Sequence, residues 1–365
     1  MKRAHFEAIA PICALCRQTS GKEAKLSIGR VIAEENGDIR EGILVCTDPG
    51  CQREYPILDH VPILVPALRA YVAQNVFHLL RRDDLSPVTE SLLGDCCGPG
   101  SVFDQTRQHL SSYAHGHYAD RDPGDAAFGT RSTLLGLLDQ GLPLAGPPQQ
   151  GPILDAGCGV GRSTFELADR TGALVVGVDL NFSFLRLASR ALREGIVRYD
   201  LRKVGLVYEE RAFPVRFDRK DLVDFWAADA LSLPFAAGSF GQALSLNLLD
   251  CVSSPYDLLA SFARVLRPGA RAILASPYDW SPGATPIEAW IGGHSQRGPE
   301  QGSPEAALRS LLTPGAHPAS LGTLRLVGEA AALPWAVRVH DRSTMLYGVH
   351  LVIAERTAEH EGTQR

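Results

Sequence analysis

The chain has 365 residues, 45% hydrophobic and 21% charged, which is ordinary for a globular protein of more than one unit. Its formal net charge of -5 gives no basic balance, so neither nucleic acid nor an anionic membrane is expected as a partner. No apolar run reaches the roughly 18 to 20 residues of a membrane span, and no signal-peptide cleavage site follows the short apolar start. We therefore expect a cytoplasmic protein, whose eight cysteines bind metal or pack in cores.

Residues 1–67 contain two cysteine pairs in an otherwise small unit. Cys13 and Cys16 are separated by two residues, and Cys46 and Cys51 by four, including Pro49. Two such turns can bring four thiolates together around a tetrahedral zinc ion, which would supply folding energy that so small a core lacks. The sequence predicts a structural zinc site, and the alternative is a small cysteine core without metal.

Residues 68–100 are predicted to form a helical linker, in which a helical piece (ALRAYVAQNVFHLLRR) precedes a loop rich in Gly, Pro and Ser that contains Cys96 and Cys97. The next segment, VFDQTRQHLSSYAHGHYAD, has helical spacing and places Tyr113, His117 and Tyr118 on one face. This face either packs on the following domain or closes over a ligand, and the spacing is compatible with both.

A glycine-rich turn follows the first strongly apolar strand of the main domain. The strand ends at Asp155, the turn carries Gly157, Gly159 and Gly161, and a second apolar strand ends at Asp179. Glycines let a ligand approach the backbone at the carboxyl ends of parallel strands, and an acid at the end of the next strand can bind ribose hydroxyls. The pattern predicts a nucleotide-type ligand in a doubly wound sheet.

The run D-A-G-C-G-V-G resembles the motif that binds S-adenosylmethionine (SAM) in class I methyltransferases, rather than the GxGxxG of dinucleotide enzymes. The family's later landmarks follow in order: FWAADALSLPF, GSFGQALSLNLLDCV and LLASFARVLRPGARAILASP. The resemblance implies an α/β, Rossmann-like methyltransferase domain over residues 101–356. By the same resemblance, the residues that hold SAM are Asp155, Gly157, Gly159 and Gly161 at the methionine end, Asp179 at the ribose, Asp229 and Ala230 at the adenine, and Asn247 after the fourth strand.

Residues 1–67 also resemble the zinc-ribbon family typified by the activator subunit of certain tRNA and translation-factor methyltransferases. The matching residues are LVC, the last cysteine of the unit and YPILDHVPILVP. In that family the module is an accessory or docking piece and not the catalyst.

A narrower resemblance covers about Phe103 to Arg356, through VFDQTRQHLSSYAHGHY, GCGVGRSTFEL, SPYDWSPGATPIEAWIGG and PWAVRVHDR. These segments resemble the methyltransferase domain of ovothiol synthase and its stand-alone 5-thiohistidine N-methyltransferase relatives. The resemblance implies methylation of a ring nitrogen of 5-thiohistidine. The implied acceptor pocket is lined by Asn247, Tyr278, Trp280, Trp290, Arg338 and His340. Arg338 would pair with the acceptor's carboxylate, and Tyr278 or His340 would take a proton.

Two alternatives stay open: a methyltransferase for another small metabolite, and a zinc-ribbon docking protein whose methyltransferase domain serves a macromolecular partner. NLLD follows the fourth strand where methyltransferases of planar amide and base nitrogens carry an NPPY-like tetrapeptide, which counts against base or protein-amide methylation. We expect a small-molecule substrate, and the sequence leaves the oligomeric state open. Residues 357–365 are polar and are expected to form a disordered tail.

Overall fold

The computed structural model describes residues 1–82, 85–125 and 132–357. Of the expected tail at 357–365, residues 358–365 lie outside this described part. Within the described residues, no helix is both long enough and apolar enough to cross a membrane.

The N-terminal unit is a small antiparallel sheet preceded by two short helices, α1 (Arg3–Ile9) and α2 (Ala14–Ser20). Its strands lie in chain order: β1 (Leu26–Glu35), β2 (Asp38–Cys46), β3 (Glu54–Leu58) and β4 (Val61–Pro62). Helix α2 begins directly after Cys13, which caps it, and ends at Gly21 in the left-handed conformation, where glycine carries no side-chain penalty. The first cysteine pair is therefore held by a short, well-terminated helix.

Three helices follow this unit in the chain: α3 (Leu68–Leu80), α4 (Pro87–Cys97) and α5 (Val102–Tyr118). Helices α3 and α5 lie where the sequence predicts them. The expected loop around Cys96 and Cys97 is wrong, because both residues belong to the last turn of α4. A serine cap at Ser86 and a proline in the first turn start this helix, and they outweigh the glycines that follow it.

The main domain is an α/β unit with a seven-stranded sheet. Its strands are β5 (Ile153–Ala156), β6 (Val175–Asp179), β9 (Val223–Ala227), β10 (Phe240–Leu246), β11 (Leu266–Ser276), β12 (Leu324–His340) and β13 (Ser343–Arg356). A separate hairpin consists of β7 (Ile196–Val204) and β8 (Val207–Pro214). The helices are α6 (Thr133–Ala145), α7 (Arg162–Thr171), α8 (Phe182–Glu194), α9 (Pro255–Val265) and α10 (Pro304–Leu311).

The strand order is β12-β13-β11-β10-β5-β6-β9, and β13 runs antiparallel to both of its neighbours. Strands β5, β9 and β10 are buried along their whole length, as expected for parallel strands covered on both faces. Chain order reverses between β5 and β10, which opens a crevice at the carboxyl ends of these strands. This topology confirms the predicted Rossmann-like methyltransferase fold.

The N-terminal unit lies against the edge of this sheet, beside β9. Ile63 pairs with Ala227 in a parallel bridge, and the backbone amide of Leu64 donates to the Ala227 carbonyl at 2.7 Å. The guanidinium of Arg193 on α8 binds both carboxylate oxygens of Asp38, at 2.9 and 3.0 Å. The small unit therefore covers a sheet edge that would otherwise present unpaired backbone groups.

Candidate active site

A cavity of about 910 Å³ opens at the carboxyl ends of the central strands. Its wall combines the glycine-rich turn, the ends of β6, β9, β10 and β11, helix α5 and the β12–β13 hairpin. The polar and aromatic lining residues are Gln74, Ser112, Tyr113, His117, Ser163, Asp179, Asn181, Phe184, Asp229, Asn247, Asp250, Cys251, Ser253, Asp279, Trp335 and Tyr347. The crevice predicted from the topology is therefore a real cavity with convergent polar groups.

The three glycines of the turn have different structural roles. Gly157 lines the cavity with φ +73°, and a Cβ there would come within 3.0 Å of the Leu248 side chain. Gly161 has φ +89° and directly precedes α7, and a Cβ there would lie 2.6 Å from the Phe225 ring. Gly157 therefore leaves room for Leu248 at the cavity wall, whereas Gly161 permits close packing of helix on sheet. Gly159 donates its backbone N–H to Asp179 at 2.9 Å and links the turn to the next strand.

Asp155 does not line the cavity, although the sequence places it among the SAM-binding residues. Its carboxylate is buried and accepts hydrogen bonds from the hydroxyls of Ser163 at 2.6 Å and Thr164 at 2.7 Å. Burial raises the pKa of Asp155 to about 6. The side chain holds the first turn of α7 against β5, so its contact with a ligand stays a prediction while its structural role is visible.

Two acids of the predicted SAM set do face the cavity. Asp179 accepts from the backbone of Asn181 at 2.8 Å as well as from Gly159, and burial raises its pKa. Asp229 accepts from the backbone of Leu231 at 2.9 Å, and burial raises its pKa too. Ala230 lines the cavity beside Asp229. These residues stand at the ends of β6 and β9, as the family pattern implies.

Helix α5 both packs on the domain and covers the cavity. Tyr118 is fully buried and its hydroxyl donates to the Val160 carbonyl at 2.8 Å, whereas Tyr113 and His117 face the cavity. Burial, with Arg162 nearby, lowers the pKa of His117 to about 3, so its imidazole is neutral at physiological pH. Packing of this face on the domain is therefore confirmed, and closure over a ligand stays a prediction for Tyr113 and His117.

Asn247 occupies the end of β10 in a strained conformation with φ +54°. Its backbone amide donates to the Ala275 carbonyl at 2.8 Å, and its side chain lines the cavity. Both polar atoms of the side-chain amide are buried, and neither has a hydrogen-bond partner among the residues that the structure describes. A buried amide without partners is costly, so this group is placed to bind a ligand.

Three residues of the predicted acceptor pocket are absent from the cavity wall. The Tyr278 hydroxyl pairs with Nδ1 of His350 at 2.7 Å. Trp280 and Trp290 stack on each other with ring centroids 5.8 Å apart. The expected aromatic wall is therefore a packed pair that supports the loop, and the same segment reaches the cavity through Pro277, Asp279 and Gly283 instead.

Arg338 and His340 also lie away from the cavity wall. The Arg338 guanidinium forms an ion pair with Asp341 and lies 3.9 Å from Asp125. His340 Nδ1 accepts from the Arg342 amide at 3.2 Å. Val337 lines the cavity, whereas the side chain of its neighbour Arg338 is directed to Asp341 and Asp125. The aromatic residues that do line this side are Trp335 and Tyr347, and the only sequence signal for Trp335 is its place in PWAVRVHDR.

The four cysteines of the N-terminal unit come together as predicted. All four sulfur atoms lie within 4.8 Å of one another, and the pairs Cys13–Cys51 and Cys16–Cys46 are each 3.8 Å apart. Tetrahedral zinc with Zn–S bonds of about 2.3 Å separates its ligands by about 3.8 Å. The donor set and its spacing fit zinc, and the Tyr55 hydroxyl lies 3.2 Å from the Cys13 sulfur as an outer contact.

Comparison with known proteins agrees with this geometry. A family model described as "Methyltransferase domain" matches residues 154–274. The O-methyltransferase cnsE of Penicillium expansum is 31% identical over 183 residues, which is 48% of this chain and 56% of that protein. The methyltransferase GfsG of Streptomyces halstedii is 32% identical over 123 residues, 34% of this chain and 36% of the relative.

The chain thus spans about half of the first relative and about a third of the second. The solved structure of a SAM-dependent methyltransferase from Methanosarcina mazei shares 25% identity, with a TM-score of 0.39, over 61% of this chain and 98% of that one. Other relatives include N-methyltransferases, such as norajmaline N-methyltransferase of Rauvolfia serpentina, 28% identical over 44% of this chain and 50% of that protein. Residues 154–274 therefore match a methyltransferase domain, and they lie in a sheet with the Rossmann-like topology of class I SAM-dependent methyltransferases.

Proposed function

We propose that the chain transfers the methyl group of SAM to a ring nitrogen of 5-thiohistidine, and that its N-terminal unit holds a structural zinc ion. The observation that carries the proposal is the single cavity that joins two sets of residues. SAM-type residues lie over β5, β6 and β9, and a second group of polar and aromatic side chains lies over β10, β11 and the β12–β13 hairpin.

The first half of the cavity fits SAM. Gly157 offers backbone access, Asp179 would hold the ribose hydroxyls, and Asp229 with Ala230 would hold the adenine. When bound, SAM supplies a methyl group on a sulfonium ion, so the acceptor needs only a lone pair aligned with the carbon–sulfur bond. The protein's own task is then to orient the acceptor and to exclude water, and Tyr113 and His117 on α5 cover the cavity for this purpose.

The choice of acceptor is supported by the contacts that the segment SPYDWSPGATPIEAWIGG makes in the fold. The Thr285 hydroxyl donates to the carbonyls of Asp250 at 3.1 Å and Val252 at 2.7 Å. The Asp279 backbone donates to the Asp250 carboxylate at 2.7 Å. The residues that carry the narrow resemblance thus build the wall of the acceptor half, which is the part of a methyltransferase that differs between substrates.

A neutral imidazole nitrogen is already a nucleophile near neutral pH, so orientation outweighs base catalysis in this proposal. The neutral His117 and the buried amide of Asn247 are available to align the acceptor, because both line the cavity and carry atoms without partners among the described residues. Proton transfer to Tyr278 or His340 stays a prediction, and the Tyr278 hydroxyl is engaged by His350.

Three parallel reactions with SAM test the proposal. The full wild-type chain is incubated with 5-thiohistidine in the first and with histidine in the second. The third contains the Asp179→Ala protein and 5-thiohistidine. We expect S-adenosylhomocysteine and a methylated product only from the wild type with 5-thiohistidine. Asp218→Ala, which removes an exposed carboxylate, is the matched control and should retain activity. Bound SAM without turnover of 5-thiohistidine would assign the cavity to another small acceptor.

A further inference from the structure

We propose that Asp250 and Asp279 form the subsite that binds the α-ammonium group of the acceptor. The inference deepens the proposed function and rests on it, since 5-thiohistidine is an amino acid. The sequence resemblance points instead to a basic residue, Arg338, as the amino-acid recognition group, and the structure places that residue off the cavity wall.

Asp250 is held rigidly with its carboxylate at the cavity. The residue is only 2% exposed, yet it lines the cavity from the middle of the short helical turn Leu249–Cys251. One carboxylate oxygen accepts the Asp279 amide, and the Asp250 carbonyl accepts the Thr285 hydroxyl. The loop after β11 therefore fixes this acid from two directions, which is the arrangement expected of a recognition group.

Asp279 stands beside it on the same wall and is more exposed. Its Oδ2 accepts the hydroxyl of Tyr347 at 3.0 Å, and Tyr347 itself lines the cavity on the β12–β13 hairpin. Trp335 from the same hairpin adds an aromatic face. The two carboxylates thus lie next to a flat apolar wall, which suits a small aromatic ring that carries a cationic arm.

Neither carboxylate has a cationic partner among the residues that the structure describes. Burial raises the pKa of Asp250, and the like charge of Asp279 on the same wall adds a smaller effect in the same direction. A bound cation or ammonium group would relieve both effects.

Independently, two other side chains of the cavity carry polar atoms without partners in the described chain. His117 is 5% exposed and its Nδ1 has no partner, and both amide atoms of Asn247 are likewise unsatisfied. The cavity therefore presents unsatisfied polar groups to a ligand in addition to the two carboxylates.

The position of the two acids in the sheet favours the ammonium group of the acceptor, and not that of SAM, as their ligand. Asp279 follows β11 and Tyr347 lies on β13, which are two and three strands away from β5 and its glycine-rich turn. Asp179 and Asp229, which mark the SAM half, lie on the opposite side of β5. Loss of SAM affinity on removing Asp279 is therefore an outcome that overturns the assignment.

The test is calorimetric binding to the full chain loaded with S-adenosylhomocysteine. The two ligands are 5-thiohistidine and its desamino analogue, in which hydrogen replaces the amino group. We expect the wild type to prefer the amino form about ten- to a hundred-fold, as for a charge-assisted hydrogen bond. Asp279→Asn and Asp250→Asn should lose this preference and keep the wild-type affinity for S-adenosylhomocysteine. Glu288→Gln, which removes an exposed carboxylate from the same loop, should keep the preference.

Equal affinity for the two ligands in the wild type would overturn the subsite, and so would a preference that survives in Asp279→Asn. Because the experiment reads binding, it is separable from the proposed function. Amine-dependent binding without methyl transfer would contradict the proposed reaction and support the subsite. Methyl transfer without a preference for the amine would support the reaction and contradict the subsite.

Discussion

The backbone amide of Leu64 donates a hydrogen bond to the carbonyl of Ala227, and thereby joins the N-terminal unit to the outermost strand of the methyltransferase sheet. Strand β9 ends two residues before Asp229, which lines the cavity and is predicted to bind adenine. The small unit is therefore a direct structural neighbour of the site. It pairs with the edge strand that leads to this acid.

The first prediction concerns zinc. Purified protein should contain one zinc ion per chain by elemental analysis, and Cys16→Ser should lose it. Since the unit has little core of its own, loss of metal should lower the melting temperature by several degrees and weaken SAM binding through β9. Cys96→Ser, at an exposed cysteine of α4, serves as the control and should change neither property. Full zinc content in Cys16→Ser protein would contradict the assignment.

Arg193 should be a main contributor to the contact between the two units. Arg193→Met removes both hydrogen bonds to Asp38 and leaves that carboxylate with the N-terminal ammonium and His60 as partners, so we expect a loss of about 1 to 3 kcal/mol in the free energy of unfolding. Urea denaturation measures this quantity. Arg190→Met breaks a more exposed pair with Glu194 on the same helix and should cost less than about 1 kcal/mol. Equal losses for the two variants would show that the Asp38 contact does not hold the units together.

Asp179→Ala should weaken SAM binding by about ten- to a hundred-fold, because it removes the carboxylate placed for the ribose and frees the amides of Gly159 and Asn181. Calorimetric titration with SAM measures the effect. Unchanged affinity would place the nucleoside elsewhere.

For Arg338, the role implied by the resemblance differs from the contacts seen in the structure. The structure pairs its guanidinium with Asp341, so Arg338→Met should lower thermal stability. The Michaelis constant for the acceptor should change less than about threefold. A large rise of that constant at unchanged melting temperature would restore Arg338 as the partner of the acceptor's carboxylate.

Asp155 should make stability depend on pH. Burial raises its pKa from 3.8 to about 6, so the folded chain holds a proton that the unfolded chain has released within this window. Stability contributed by the protonated acid is present below pH 4 and is lost as the pH rises to 6, by on the order of 3 kcal/mol. Asp155→Asn should lack this decline, and its unfolding free energy relative to the wild type should rise between pH 4 and pH 7. If the unfolding free energies of both proteins changed with pH in the same way, the raised pKa of Asp155 would be contradicted.

Much of the fold could be predicted from the sequence, because the signals are local or tied to one another by chain order. The turn at Gly157, the acids at the ends of β6 and β9, and the spacing of the cysteine pairs each follow from backbone geometry or ligand chemistry. Helix α4 was missed because a serine cap followed by proline is a weaker signal than the glycines beside it.

The acceptor half was harder to predict, since it depends on side-chain direction in long strands and irregular loops. Arg338 and Val337 are neighbours in sequence, and no local pattern specifies that Val337 lines the cavity while Arg338 pairs with Asp341. The pairing of Asp250 with Asp279 joins residues 29 positions apart, across a loop whose path no local pattern specifies. The rings of Trp280 and Trp290 stack on each other, and composition alone cannot distinguish such a stacked pair from the wall of a ligand pocket.

The most direct measurement is a single-turnover reaction of the chain with SAM that carries a carbon-13 methyl group, in the presence of 5-thiohistidine, followed by nuclear magnetic resonance. We predict one labelled methyl signal on a ring nitrogen of the product, with an equal amount of S-adenosylhomocysteine. A methyl signal on sulfur, or labelled SAM that stays intact while bound, would contradict the proposed reaction.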